Sequence, residues 1–184
     1  YCNSVSTASV TLTGSAGGTY IASPSGLSLN AATGAINLTT STPGSYNVTY
    51  VIAAGGGCAG FSTTDPVVVT AAQSATIAYN GSPYCTGAVV ANVTRTGSAG
   101  GTYSALPAGL SLDPSTGSID LGASTSGGYT VTYTIAAGGG CAQFTTTASV
   151  IVTAAPGATI TYSGSPYCNS GTSASVTLSG SAAG

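Results

Sequence analysis

This sequence has almost no charge. In 184 residues it carries one cation, Arg95, and three anions, Asp65, Asp113 and Asp120; histidine, lysine, glutamate, methionine and tryptophan are missing altogether. Each absence removes a class of function. One arginine cannot neutralise a phosphate backbone, which excludes a nucleic-acid partner. No stretch reaches the roughly 18 apolar residues expected of a membrane-spanning helix. General acid–base catalysis draws on His, Glu, Asp or Lys, and the many serines have no histidine to activate them. There is no C-x-x-C pair to begin a zinc site. The reading is a non-enzyme with no cofactor and no metal ion. With neither an initiating methionine nor a signal peptide, the chain is expected to be a mature or internal portion of something larger.

What is present is hydroxyl and β-branched. Serine and threonine together number 57, so the surface must be hydroxyl rather than ionic. Val, Ile, Thr and Tyr recur in alternation, the pattern of half-buried strands. No helical period is sustained anywhere.

The pattern is written more than once. Residues 2–84 align with residues 85–167 without a gap, and 53 of the 83 positions are identical. Shared blocks include TGSAGGTY (13–20, 96–103), GLSL (26–29, 109–112), IAAGGGCA (52–59, 135–142) and GSPYC (81–85, 164–168). A third copy starts at Cys168 and runs to TLSGSAAG. Such self-similarity marks a repeat array. The segments TAAQSA (70–75) and TAAPGA (153–158) set natural boundaries. The expected domains are 1–74, a repeat lacking its first strand; 75–157, a complete repeat; and 158–184, the start of a third. Linkers this short imply domains touching end to end.

Within the complete repeat, strands are expected at 75–79, 88–96, 101–106, 109–113, 117–122, 129–137 and 142–153. Seven short strands with Gly, Pro or Asn/Asp turn signals between them predict a β-sandwich. Tyr129, Val131, Tyr133 and Ile135 should share one face, as should Tyr46, Val48, Tyr50 and Ile52. Val10 and Leu12 should point inward, as should Val176 and Leu178. Arg95 stands where leucine is expected, either snorkelling at the core's rim or paired with Asp113 or Asp120. The run AAGGGC should turn the last hairpin, its glycines taking positive φ.

Five cysteines, Cys2, Cys58, Cys85, Cys141 and Cys168, are spaced 56, 27, 56 and 27 residues apart. They read as disulfide formers in an oxidising, extracellular setting. The preferred pairing is Cys2–Cys58 and Cys85–Cys141, each closing a loop worth roughly 4 kcal/mol, with Cys168 bonding elsewhere. Cys58–Cys85 with Cys141–Cys168, linking neighbouring repeats, remains the alternative.

Four Asn-x-Ser/Thr triplets begin at Asn37, Asn47, Asn80 and Asn92. Alternation turns Asn37, Asn47 and Asn92 outward, making all four candidates for covalent glycan. O-linked sugar on Ser and Thr is an equal candidate. Asp113 in LDPSTG opens a β-turn closed by Gly117, since one carboxylate falls well short of the six to eight oxygens calcium takes.

The order ATI-Y-GSPYC, GGTY, GLSL, VTYTIAAGGGCA and V-VTA resembles the tandem immunoglobulin-like, PKD-like repeats of very large surface proteins of Bacteroidota. GLSLDPSTGSIDL (109–121) is also similar to the Ig motif of bacterial surface proteins. The resemblance implies an all-β fold of tandem immunoglobulin-like sandwich repeats of 83 residues. It also implies export, commonly by the type IX route, and service as an adhesin or surface filament.

Two functions follow. One is structural: a rod segment of an extracellular or cell-surface fibre or adhesin stalk, whose partners are neighbouring repeats or further copies and whose coat is glycan. The other is a binding module that recognises glycan or another surface through its Thr-rich faces or loops. Near-identical copies favour the first, because a spacer needs sameness. Two assemblies fit it: a continuous array, which is preferred, and strand donation between subunits through the spare ATITY (158–162).

Overall fold

Two nine-residue runs organise the first repeat. Gly44–Ile52 sets Tyr46, Val48, Tyr50 and Ile52 at every second position, Phe61–Val69 is rich in Thr and Val, and the two pair antiparallel along their full length, from Gly44↔Val69 to Ile52↔Phe61. The computed structural model describes residues 1–171 and 173–180. Residue 172 and the last part of the third-repeat block, 181–184, lie outside the described residues.

In chain order the first repeat forms β1 (Thr7–Ala8), β2 (Thr19–Ser23), β3 (Ser28–Leu29), β4 (Ile36–Asn37), β5 (Gly44–Ile52) and β6 (Phe61–Val69). The second forms β7 (Ala75–Ala78), β8 (Tyr84–Cys85), β9 (Val90–Ala91), β10 (Thr94–Gly97), β11 (Thr102–Leu106), β12 (Ser111–Leu112), β13 (Ile119–Asp120), β14 (Gly127–Ile135) and β15 (Phe144–Thr153). β16 (Ala158–Tyr162) and β17 (Val176–Gly180) follow. No helix occurs among the described residues.

The sheets repeat. In the first repeat they are β1-β4-β3 and β2-β5-β6; in the second, β9-β13-β12 and β11-β14-β15-β8, with β7 paired to β10. Two consecutive strand pieces, β9 and β10, make up the second position. The first, second, fourth and fifth positions thus fall in one layer and the third, sixth and seventh in the other. That partition makes the fold an all-β, immunoglobulin-like sandwich. β8 was not legible in the sequence. It adds to β15 in parallel, Thr153 opposite Cys85, and Cys2 bridges Thr70 in the same way.

Contacts divide the chain into two compact units, residues 1–76, 95–102 and 133–146 in one, and 77–94, 103–132 and 147–184 in the other. The first holds a core of Ala8, Ile36, Leu38, Tyr46 and Val69, with Leu27, Leu29 and Val67 packed against it. In the second, Ile119, Leu121, Val131, Val150 and Val152 are fully or almost fully buried. Along β14 the residues Tyr129, Val131, Tyr133 and Ile135 are buried, as the alternation predicts.

One expectation fails. Val10 and Leu12 do not face a closed core: they lie outside any strand and are 44% and 41% exposed. Val176 and Leu178, in β17, are 52% and 70% exposed. Alternation places a side chain on a face; only a second layer or a neighbouring strand covers that face.

Candidate functional site

The chemistry of this chain is its cysteines and its turns. Cys2 and Cys141 are joined by a disulfide, with Cα atoms 4.8 Å apart and 139 residues of chain between them. Cys58, Cys85 and Cys168 are free and exposed. This corrects the expected pairing of Cys2 with Cys58 and of Cys85 with Cys141, and also its alternative.

The reason is strand length. Cys58 closes the turn before β6, while Cys2 bridges Thr70, just past the other end of β6. Nine extended residues separate those ends by about 30 Å, and a disulfide needs Cα atoms within about 7 Å. The second repeat has the same layout: Cys141 precedes β15, and Cys85 stands beside Thr153 at its end. The turn cysteine Cys141 therefore bonds to Cys2, which opens the preceding repeat.

The glycines before Cys141 make that meeting possible. Gly138 and Cys141 exchange backbone hydrogen bonds of 3.0 and 2.9 Å, and Gly139 and Gly140 between them take φ of 58° and 81°. A β-carbon on Gly139 would stand 2.8 Å from the Thr70 hydroxyl, and one on Gly140 would stand 3.1 Å from the Tyr1 Cα. The turn lies against the backbone around Tyr1 and Thr70 because it has no side chains there. Gly55 and Cys58 form the same turn.

Further bonds hold the segment after β6. The Ala72 amide donates to Asn3 Oδ1 at 2.6 Å, and Gln73 Nε2 donates to the Ala136 carbonyl at 3.3 Å. Ser74 N donates to Ser98 Oγ at 3.2 Å. The sequence reading singles out none of these side chains: Gln73 has Pro156 in its place one repeat later, and Ser98 lies in a block shared by both repeats.

The buried tyrosines act through their hydroxyls. Tyr50 accepts from the Gly18 amide at 2.8 Å and donates to the Ser15 carbonyl; Tyr133 does the same with Gly101 and Ser98. The repeated TGSAGGTY block is thus a loop tied to a core tyrosine. Arg95, exposed, donates to the Gly97 and Ser98 carbonyls at 3.0 and 2.9 Å and lies 5.8 Å from the centre of the Tyr133 ring. Its guanidinium serves this loop rather than Asp113 or Asp120.

The two aspartates cap turns. Asp113 Oδ1 accepts from the amides of Ser115 and Thr116 at 2.7 and 3.0 Å. Those backbone bonds, Thr116 first, hold its carboxyl below the usual carboxylate range. Asp120 Oδ1 accepts from Gly122 and Ala123. Asn30 makes the bonds of Asp113 in the first repeat, to Ala32 and Thr33, both 3.0 Å. An amide oxygen thus takes the place of a carboxylate oxygen in the other copy of the turn.

Asn37, Asn47, Asn80 and Asn92 are all exposed. Asn37 Oδ1 accepts from its own triplet's Thr39 hydroxyl at 2.8 Å, Asn80 Nδ2 donates to Thr94 Oγ1, and Asn92 Oδ1 accepts from Ser118 Oγ. Asn37 lies in β4 and Asn47 in β5, while Asn80 and Asn92 lie outside the strands. Among the described residues no group of three or more His, Cys, Asp or Glu is placed to hold a metal ion.

No family model matches this chain, and no curated protein does either. Among solved structures it is similar to Drosophila N-cadherin EC1-4, at 11% identity and a TM-score of 0.44, over 75% of this chain and 40% of that one. It is also similar to the insect immune protein hemolin, at 14% identity and a TM-score of 0.40, over 75% and 39%. The chain spans about two fifths of the length of each. No residue of this chain takes a role from either likeness.

Proposed function

We propose that this chain is a structural segment of an extracellular fibre or adhesin stalk, built from 83-residue repeats divided near residues 74 and 157. The observation that carries the reading is the Cys2–Cys141 bond, which ties the turn of one repeat to the opening residues of the repeat before it. A bond between consecutive repeats resists bending and pulling where a chain of separate domains would yield. It also needs an oxidising compartment to persist. The reading is supported by a chain two of whose three aspartates are spent on turns and whose tyrosines are mostly buried, which leaves little for a distinctive binding patch.

The finer reading is an exported surface protein of the Bacteroidota kind, with glycan on Asn37, Asn47, Asn80, Asn92 or the exposed hydroxyls replacing charge as the hydrated coat. Electron micrographs of the native material test the architecture: thin filaments with an axial spacing of one sandwich are expected, and dispersed globular particles would overturn it. Intact-mass measurement tests the coat, and a mass equal to the bare 17.3 kDa polypeptide removes it.

A further inference from the structure

A pull that enters this chain before Cys2 and leaves after Cys141 has two covalent routes between them. One follows the backbone through residues 3–140. The other crosses the disulfide, whose Cα atoms are 4.8 Å apart. The backbone route, 139 residues long, becomes taut only at roughly 460–500 Å. The disulfide therefore takes the load and the backbone route stays slack. Nothing in that division depends on residues outside the loop.

The way out of the bond is already straight. Just past Cys141 the chain enters β15, ten residues of strand paired with β14 on one side and β8 on the other. A strand rises about 3.3 Å per residue, close to the limit of a stretched chain. Tension along β15 finds almost no slack to take up. Its far end is held in the sheet by the segment around β8. The Thr86 amide donates to the Thr153 carbonyl at 2.8 Å, Thr153 Oγ1 to the Tyr84 carbonyl at 3.0 Å and the Ile151 amide to Ser82 Oγ at 2.9 Å. The way in is held too. On either side of Cys2, the Thr70 amide donates to the Tyr1 carbonyl at 2.7 Å and the Asn3 amide to the Thr70 carbonyl at 3.0 Å.

The bond is also shielded. Cys2 is 1% and Cys141 5% exposed. The turn at Gly139 and Gly140 lies against Thr70 and Tyr1, and Ser4 Oγ donates to Cys2 Sγ at 3.1 Å. Thiol–disulfide exchange needs access of a thiolate to one of the sulfurs. The folded junction withholds both.

We propose that the Cys2–Cys141 bond and β15 are the load path of this segment, and that residues 3–140 are hidden length released only by reduction of the bond. Even a force that strips β15 from β14 leaves that loop closed, because its closure is covalent. Release is chemical. A thiolate of a dithiol reductant attacks one sulfur and the other leaves as a cysteine thiolate; the second reductant thiolate then displaces the first cysteine. The reductant ends as a cyclic disulfide, and the two protons it gave up end on Cys2 and Cys141. The use of such a path rests on the stalk reading, whereas the path itself follows from connectivity.

The 184-residue chain, tagged at both ends and with its exposed free thiols alkylated, is stretched to full extension in an optical trap. Without reductant its contour length should grow by no more than about 150 Å, the reach of residues 142–184. Dithiothreitol added under tension should release roughly 460–500 Å more. Cys141→Ser should show the whole extension from the outset, and loss of folding would not disguise this, since full extension counts residues and not contacts. In the unstretched chain, dithiothreitol should reduce the bond about tenfold or more slowly than in denaturant, because the junction must first open. A wild-type chain that reaches the long extension before reduction, one that gains nothing on reduction, or a Cys141→Ser chain that stays short overturns the load path. Equal reduction rates with and without denaturant overturn the shielding. Micrographs that show no filaments remove the use of the path and leave these lengths unchanged.

Discussion

Ser124 Oγ lies buried between two strands, accepting from the Ser111 amide at 2.9 Å while it donates to the Asp120 carbonyl at 2.6 Å. Ser41 repeats the arrangement with Ser28 and Asn37 at 3.0 and 2.7 Å. One hydroxyl thus ties β12 to the turn after β13, and β3 to the turn after β4. Ser124→Ala leaves the Ser111 amide and the Asp120 carbonyl without this partner in a partly buried place. A loss of about 1–3 kcal/mol is expected in denaturant unfolding, and a change below about 0.5 kcal/mol would show that water replaces the hydroxyl.

Close approach of backbone to ring should make Gly101 irreplaceable. A β-carbon there would stand 2.6 Å from the Thr134 carbonyl and 2.6 Å from the Tyr133 ring. Gly101→Ala must displace a strand or the tyrosine that bonds the loop, costing roughly 1–3 kcal/mol. Gly138→Ala is the control, since its β-carbon would meet nothing within 4 Å. Thermal melts of the two variants should therefore separate clearly.

Removing the Cys2–Cys141 bond tests how much the clamp contributes. Closing a loop of 139 residues restricts the unfolded chain by about 5 kcal/mol in the chain-entropy account. Cys141→Ser should lower unfolding stability by roughly 2–5 kcal/mol. Cys58→Ser, at an exposed free thiol, should stay within about 0.5 kcal/mol in dilute solution.

Acid should distinguish the two copies of one turn. The Asp113 carboxyl titrates below its ordinary value of 3.8 because the Thr116 and Ser115 amides donate to it. A depressed folded pKa gives stability that is fully present above the unfolded value and is lost as pH falls through the folded one. Asn30 makes the same bonds without a titrating group. Below about pH 4, amide exchange at Ser115 and Thr116, corrected for its intrinsic rate, should speed up relative to Ala32 and Thr33. Equal behaviour of the two turns would contradict the assignment.

Local features were legible because local chemistry makes them. The inward face of β14, the glycine turn before Cys141 and the turn opened by Asp113 each follow from residues adjacent in the chain. β8 was not legible, since two residues, Tyr84 and Cys85, carry no alternation and pair in parallel with a strand far along the sequence. Alternation places Tyr50 and Tyr133 on the inward face. Their bonds to Ser15 and Ser98 needed the loop's path. Serines identical at 41 and 124, directly after the differing pairs Thr39-Thr40 and Gly122-Ala123, were the one signal that could have marked the buried hydroxyls.

By itself the sequence determined the period of 83 residues, the all-β class and the face each side chain of the long strands presents, because an alternating run needs only its own backbone to sort its residues. Tertiary structure alone decided which cysteines meet and which apolar faces stay open. A disulfide depends on which strand ends come together, and nine extended residues hold Cys58 far from Cys2 while the next repeat's turn brings Cys141 to it. Burial of Leu12 depends on a neighbouring strand, and the first repeat holds none in that place.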